Sequence, residues 1–206
     1  MPQPPSTAAI AAAARESPFR VGGAFSPLAD ADELRYREHV EDYPDPARDV
    51  VRFIEGKELV RRLEDALERA GVEPAGTIVD LGAGSCWLSA ALARRPRVER
   101  VIAVEFSRRR LEELAPAAIA YLQAPADKIE RLLADFYRPG LESGLADMVF
   151  VDAAFHHAAD PVALARVAHD LLRPGGTLFL HREPTLALLR RSRDHGREGR
   201  HGNFEH

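Results

Sequence analysis

Between Lys57 and Ala70 the apolar residues Leu59, Val60, Leu63, Ala66, Leu67 and Ala70 recur at spacings of one, three and four. That spacing sets them on one helical face, and Gly71 supplies the helix stop. From there the chain alternates. Short apolar runs, Thr77–Leu81, Val101–Val104, a brief one near Leu132 and Leu133, Met148–Val151 and Thr177–Leu180, are interleaved with helical patterns at Trp87–Arg95, Arg108–Leu122 and Pro161–Leu172. Near-continuous apolar strands separated by amphipathic helices predict an α/β fold with a doubly wound parallel sheet covered on both faces. Ligands of such sheets sit outside the carboxyl ends of the strands, so the residues that close each strand are where chemistry is sought.

The flanks read differently. Residues 1–30 combine several prolines and glycines with a polyalanine patch and little bulky apolar content, which predicts a mobile N-terminal arm. Residues 31–56 form an N-terminal cap or lid segment: a helix is expected over Asp30–Val40, and Tyr43-Pro44-Asp45-Pro46 imposes a turn. Tyr36, Tyr43 and Phe53 are its candidate lid aromatics, with stapling of the segment to the core as the equal alternative. Residues 57–184 hold the α/β domain, and 185–206 read as a tail or the start of a truncated helix.

Composition narrows the class. The 206 residues are 46% hydrophobic and 29% charged, with a formal net charge of -4. No apolar stretch approaches the roughly 18 residues that cross a bilayer, and the N-terminus lacks the basic start of a secretory signal. The single cysteine, Cys86, excludes an internal disulfide and points to a reducing, cytoplasmic setting. A weakly basic tail on an acidic body, without an aromatic-rich basic face, argues against nucleic acid as partner.

The first strand closes as Val79-Asp80-Leu81-Gly82-Ala83-Gly84-Ser85-Cys86-Trp87. Gly82 and Gly84 permit a tight turn through which backbone approaches a ligand, and the next helix offers free N–H groups. The second strand ends at Glu105, whose carboxylate can accept hydrogen bonds from both hydroxyls of a ribose. A dinucleotide fingerprint wants a small residue three positions after the second glycine, where this chain has Trp87, which argues against NAD or FAD.

With these pieces in order, residues 57–184 resemble a class I S-adenosylmethionine-dependent methyltransferase, a Rossmann-like fold. The resemblance rests on Val79–Trp87, Val104-Glu105, Ala134-Asp135-Phe136, Asp147–Asp152 running into Phe155-His156-His157, and Leu171-Leu172-Arg173-Pro174-Gly175-Gly176-Thr177-Leu178. It implies S-adenosyl-L-methionine as cofactor. Gly82, Ala83 and Gly84 would pass beneath its methionine and ribose, Asp80 would position the ammonium and Glu105 the ribose hydroxyls. Phe106 would lie on the adenine face, Asp135 would accept from the exocyclic amine, the Phe136 backbone would meet a ring nitrogen, and Asp152 and Ala153 would border the methyl donor. Cys86 stands where many members carry a third glycine, and is accommodated if its backbone stays in a common region.

Such chemistry asks the protein to align donor and acceptor and exclude water. His156 and His157, just past the fourth strand, are candidates for a general base, with helix capping or loop packing as the alternative; a metal role for the pair is disfavoured. Asp152-Ala153-Ala154-Phe155 lacks the paired prolines and terminal aromatic of members that methylate base amines, so a small-molecule acceptor, methylated at O, N or C, is expected. A non-catalytic S-adenosylmethionine-binding scaffold and an NAD-dependent oxidoreductase remain the alternatives. Arg182, Glu183 and Pro184 close the last strand, as substrate contacts or as its solvated rim. The antiparallel strands that usually complete the family's sheet are missing from the sequence, which predicts an exposed edge and either a truncated chain or an edge completed by a second chain of a homo-oligomer or by the N-terminal arm.

Overall fold

The computed structural model describes residues 2–22 and 44–184. Helices α1 (Thr7–Glu16), α2 (Pro46–Gly56), α3 (Leu59–Ala70), α4 (Trp87–Ala93), α5 (Ala115–Tyr121) and α6 (Pro161–Leu171) surround strands β1 (Phe19–Val21), β2 (Gly76–Leu81), β3 (Val98–Glu105), β4 (Ile129–Leu133), β5 (Ala146–Asp152) and β6 (Leu172–His181). The six strands run in the order β1-β4-β3-β2-β5-β6, and every pairing is parallel. β2 has β3 on one side and β5 on the other, so the switch in strand order falls at the carboxyl ends of β2 and β5.

Neighbouring strand positions feed opposite faces. Ile78, Val101, Ile129, Met148 and Phe150 join one buried cluster, while Val79, Ile102, Val104, Val149 and Val151 join the other. Burial on both faces is why these strands read as continuous apolar runs rather than as alternation. α3 buries Leu59, Leu63 and Leu67, one residue per turn, and stops where Gly71 takes φ 62° and gives its N–H to the carbonyls of Leu67 and Glu68. Upstream of α5 the helix opens into a π turn, Arg110–Leu114, with the Ala115 N–H reaching the Arg110 carbonyl. Pro116 explains the opening, since it has no N–H for the carbonyl four residues before it.

The N-terminal arm expected over residues 1–30 is, where described, part of the fold. Ser6 caps α1 by accepting the Ala9 N–H at 3.2 Å, and β1 adds an edge strand beside β4, Phe19 opposite Arg131. Polyalanine has high helix propensity, Ala13 and Ile10 pack into the main core and Phe19 against a smaller cluster, and polar bonds add to that apolar seat. Arg131, 4% exposed, donates to the carbonyls of Ala14, Ser17 and Leu111 and to Ser17 Oγ, while Ser17 Oγ donates to the Ile129 carbonyl.

Of the expected cap segment, α2 is capped by Asp45 and buries Val50, Val51 and Ile54 in the main body. Phe53 packs against that same core rather than over a strand end, with Lys57 Nζ 4.8 Å from its ring centre. The expected helix Asp30–Val40, Tyr36, Tyr43 and the 185–206 tail lie outside the described residues. Among the described residues no helix is long and apolar enough to cross a membrane. β6 is the outer strand on its side, with Leu178 and Leu180 36% and 45% exposed.

Candidate active site

The turn after β2 carries Gly82 at φ 76° and Gly84 at φ 55°. A Cβ built on Gly82 would stand 2.7 Å from Ala154 Cβ and 3.7 Å from a Phe136 ring carbon, so only glycine lets the turn and the loop after β5 meet. A Cβ built on Gly84 would meet, among the described residues, Arg110 Nη1 at 3.6 Å. Cys86 follows at φ 58°, fully buried, so the expectation of a common backbone region fails there. A residue with a Cβ in this left-handed geometry carries about 1 to 2 kcal/mol of strain. Burial pushes the Cys86 thiol pKa well above the ordinary value.

Three carboxylates converge on this turn. Glu105, 2% exposed at the end of β3, accepts the Gly84 N–H at 2.8 Å through Oε2 and the Ser107 N–H at 3.0 Å through Oε1. Arg110 Nη1 lies 3.9 Å from Oε2. Asp80, completely buried in β2, accepts from Ser89 Oγ at 2.6 Å through Oδ2, while its Oδ1 has no partner among the described residues. Burial drives its pKa up to about 7; the Ser89 bond opposes this, and the charges of Asp152 and Glu105 add to it. Ser85 Oγ, within the turn, is likewise buried without a partner.

The third carboxylate, Asp152, closes β5 and is fully engaged. Arg182 binds it in bidentate fashion, at 2.7 and 2.6 Å, Trp87 Nε1 donates at 3.1 Å, and His181 Nδ1 stands 3.0 Å from Oδ1. Burial alone would raise its pKa, but the His181 and Arg182 bonds hold it below the usual carboxylate range. Ala153 and Arg182, at φ 49° and 55°, bend the chain out of β5 and β6 side by side, joined by the Ala153 N–H to the His181 carbonyl at 2.9 Å.

The bend leads into a short 3₁₀ turn, Phe155–His157, whose two imidazole centres lie 4.0 Å apart with the rings tilted by 41°. Glu183 Oε1 accepts the N–H groups of Ala154 and Phe155, and Oε2 accepts that of His156 and meets its Nδ1 at 2.8 Å. His157 has its pKa lowered, first by burial and then by the charge of His156. Asp135 is exposed and accepts the Tyr137 N–H at 2.8 Å, so its bond is local. Phe106 and Phe136 are half-buried, and the Phe136 ring meets Tyr137 edge-on.

Residues 79–180 match the family described as "Methyltransferase domain". The chain carries a class I S-adenosylmethionine-dependent methyltransferase domain. Among solved structures, a methyltransferase-named protein of Bacillus halodurans aligns at 23% identity and TM-score 0.51, over 57% of this chain and 49% of its own. A Methanococcus maripaludis protein assigned to the S-adenosyl-L-methionine-dependent methyltransferases aligns at 22% and 0.52, over 76% of each chain. A chain of the Haloferax volcanii complex between the Trm112 methyltransferase activator and a methyltransferase aligns at 27% and 0.52, over 74% of this chain and 58% of its own. The chain spans about half the length of several structures it matches. No curated protein sequence matches it.

S-adenosyl-L-methionine is the cofactor of this methyltransferase class, and the residues fit it. Asp80 Oδ1 and Ser85 Oγ are buried polar atoms without partners beside the turn, which in a folded protein calls for a ligand or water. Asp80 and Glu105 beside one turn suit a cation and disfavour a pyrophosphate, while the charge of Asp152 is already met by Arg182. The fold thus brings Asp80, Gly82, Ala83, Gly84 and Glu105 together, sets Phe136 against Gly82, and places Asp152 and Ala153 at the adjoining strand end. The roles of Ser89, Trp87 and His181 as partners of Asp80 and Asp152 escape a sequence reading, as does the burial of Ser85. Serines near a glycine turn are ordinary, and a residue that closes a distant strand has no local signal.

Proposed function

We propose that the chain transfers a methyl group from S-adenosyl-L-methionine to O, N or C of a small-molecule acceptor. The single observation that carries this reading is the convergence of Asp80, Glu105 and Asp152 on the Gly82–Gly84 turn, with Asp80 Oδ1 buried and unpartnered. When bound, the cofactor supplies an electrophilic methyl on a positively charged sulfur. Gly82, Ala83 and Gly84 leave its methionine and ribose room to lie against backbone. Asp80 takes the ammonium, which favours the ionised carboxyl that burial disfavours. Glu105 holds the ribose hydroxyls, Phe106 and Phe136 border the adenine, and Asp135 accepts from its amine.

Asp152 and Ala153 line the methyl side. Because its oxygens are engaged by Trp87, His181 and Arg182, Asp152 shapes the wall by fixing Arg182 rather than by touching the acceptor. His156 and His157 stand on the loop that packs on Gly82, and a neutral imidazole there takes the proton of an O–H, N–H or acidic C–H acceptor. The Asp152-Ala153-Ala154-Phe155 sequence supports a small molecule rather than a nucleobase amine.

Calorimetric titration of the full chain with S-adenosylhomocysteine and with NAD tests the cofactor: the first binds and the second does not. A methyl-release assay over small phenols, amines and carboxylic acids then tests turnover; binding without turnover on any acceptor favours the scaffold alternative. Among the described residues no strand pairs with the outer edge of β6, which supports pairing with a second copy, and light scattering checks it as a dimer mass.

A further inference from the structure

We infer that Glu183 is the positioning residue for His156, holding the proton on Nδ1 so that Nε2 is the basic atom presented to the acceptor; this rests on the methyl-transfer reading above. Parallel pairing sets Asp152 opposite His181, so the residue two beyond β6 arrives beside the residues two to four beyond β5. Arg182, at φ 55°, turns the chain, and the Arg182–Asp152 ion pair fixes that turn. The Glu183 side chain, 10% exposed, then meets four groups on one loop. Three are backbone N–H groups, which can only donate. A carboxylate already serving as acceptor to them accepts from the fourth as well, so His156 Nδ1 carries its hydrogen and the neutral ring keeps its lone pair on Nε2.

The two histidines are thereby told apart. His156 has an orienting carboxylate at 2.8 Å, while His157 lies against it with its ring tilted and is driven toward its neutral form mainly by burial. Ala154, in contact distance of Gly82, keeps the loop over the turn. In the transfer, Nε2 takes the proton from the acceptor atom as that atom bonds to the methyl carbon. The electron pair of the broken carbon–sulfur bond stays on sulfur, and the imidazolium later releases its proton to water. This is the carboxylate–imidazole arrangement of acyl-transfer enzymes put to a different use.

Two-bond ¹H–¹⁵N correlation of the labelled full chain reads the tautomer directly, with no acceptor required. The expected wild-type spectrum at a pH where the ring is neutral has His156 Nδ1 protonated and Nε2 bare. Glu183→Ala and Glu183→Gln shift His156 toward the Nε2–H form while leaving the circular dichroism unchanged. A wild-type Nε2–H tautomer, or a tautomer unmoved in both variants, overturns the proposal; because the wild-type spectrum decides by itself, poor folding of a variant does not shield it. On any acceptor that turns over, Glu183→Gln and His156→Gln lower kcat at least about tenfold with the KM for S-adenosylmethionine within about twofold; equal loss in KM overturns it. Failure of S-adenosylhomocysteine to bind would instead sink the methyl-transfer reading, leaving the tautomer result in place.

Discussion

Oε2 of Glu105 accepts the backbone N–H of Gly84 at 2.8 Å, tying the end of β3 to the turn that leaves β2. The same carboxylate receives Ser107 through its other oxygen, so one side chain fixes both the glycine turn and the start of the next helical segment. Its position and that of the turn are therefore a single structural unit.

Glu105→Ala should accordingly weaken S-adenosylhomocysteine binding by about 1 to 3 kcal/mol, since hydroxyl and amide donors lose a charged acceptor. Titration calorimetry measures it. An unchanged Kd would separate the ribose from this carboxylate.

Asp80 makes the ligand-free protein sensitive to pH. Unfolded, it titrates at its ordinary 3.8, and folded, at about 7. Between those values the folded chain holds a proton that the unfolded chain has lost, so stability is fully present below about pH 4, falls as pH rises and levels off above 7. The loss amounts to about 4 kcal/mol at most. His157, lowered from 6.5, works in the opposite direction near that value. Urea melts from pH 4 to 8 should show the Asp80 contribution as the difference from Asp80→Asn, and S-adenosylhomocysteine binding at pH 6 should release a proton in the wild type but not in the variant.

Gly82→Ala adds a methyl at φ 76° and 2.7 Å from Ala154 Cβ. The backbone part costs about 1 to 2 kcal/mol and displacement of the loop adds to it. The pairing Gly82→Ala with Ala154→Gly should recover the contact but not the backbone strain. Gly71→Ala, at φ 62° with nothing within 4 Å, should show the backbone part alone. Denaturant midpoints with a constant m-value distinguish the three.

Arg131→Met should unfold the protein more readily by about 3 kcal/mol or more, because it strips a charged donor from buried acceptors at Ala14, Ser17 and Leu111. Hydrogen exchange should locate the new opening in α1 and β1 first.

The sequence announces the sheet through its double-sided strands and the site through its glycines and Glu105, all of them local patterns. β1 was not legible: three residues, Phe19–Val21, form no periodic signal, and what holds them is Arg131, more than a hundred positions away. The same holds for Glu183, whose partners at Ala154, Phe155 and His156 become visible only once β5 and β6 are known to lie side by side. Cys86 shows another limit, since residue type suggested an ordinary backbone where the surrounding turn imposes a left-handed one.

The pairing of Phe19 with Arg131 orders events on the ribosome. α1 and β1 leave the exit tunnel well before β4 is synthesised, so their seat on the sheet does not yet exist. Until it does, a ten-residue alanine-rich segment, too short to hold a helix by itself, has nothing to dock on. Translation pauses that delay β4 would lengthen that wait.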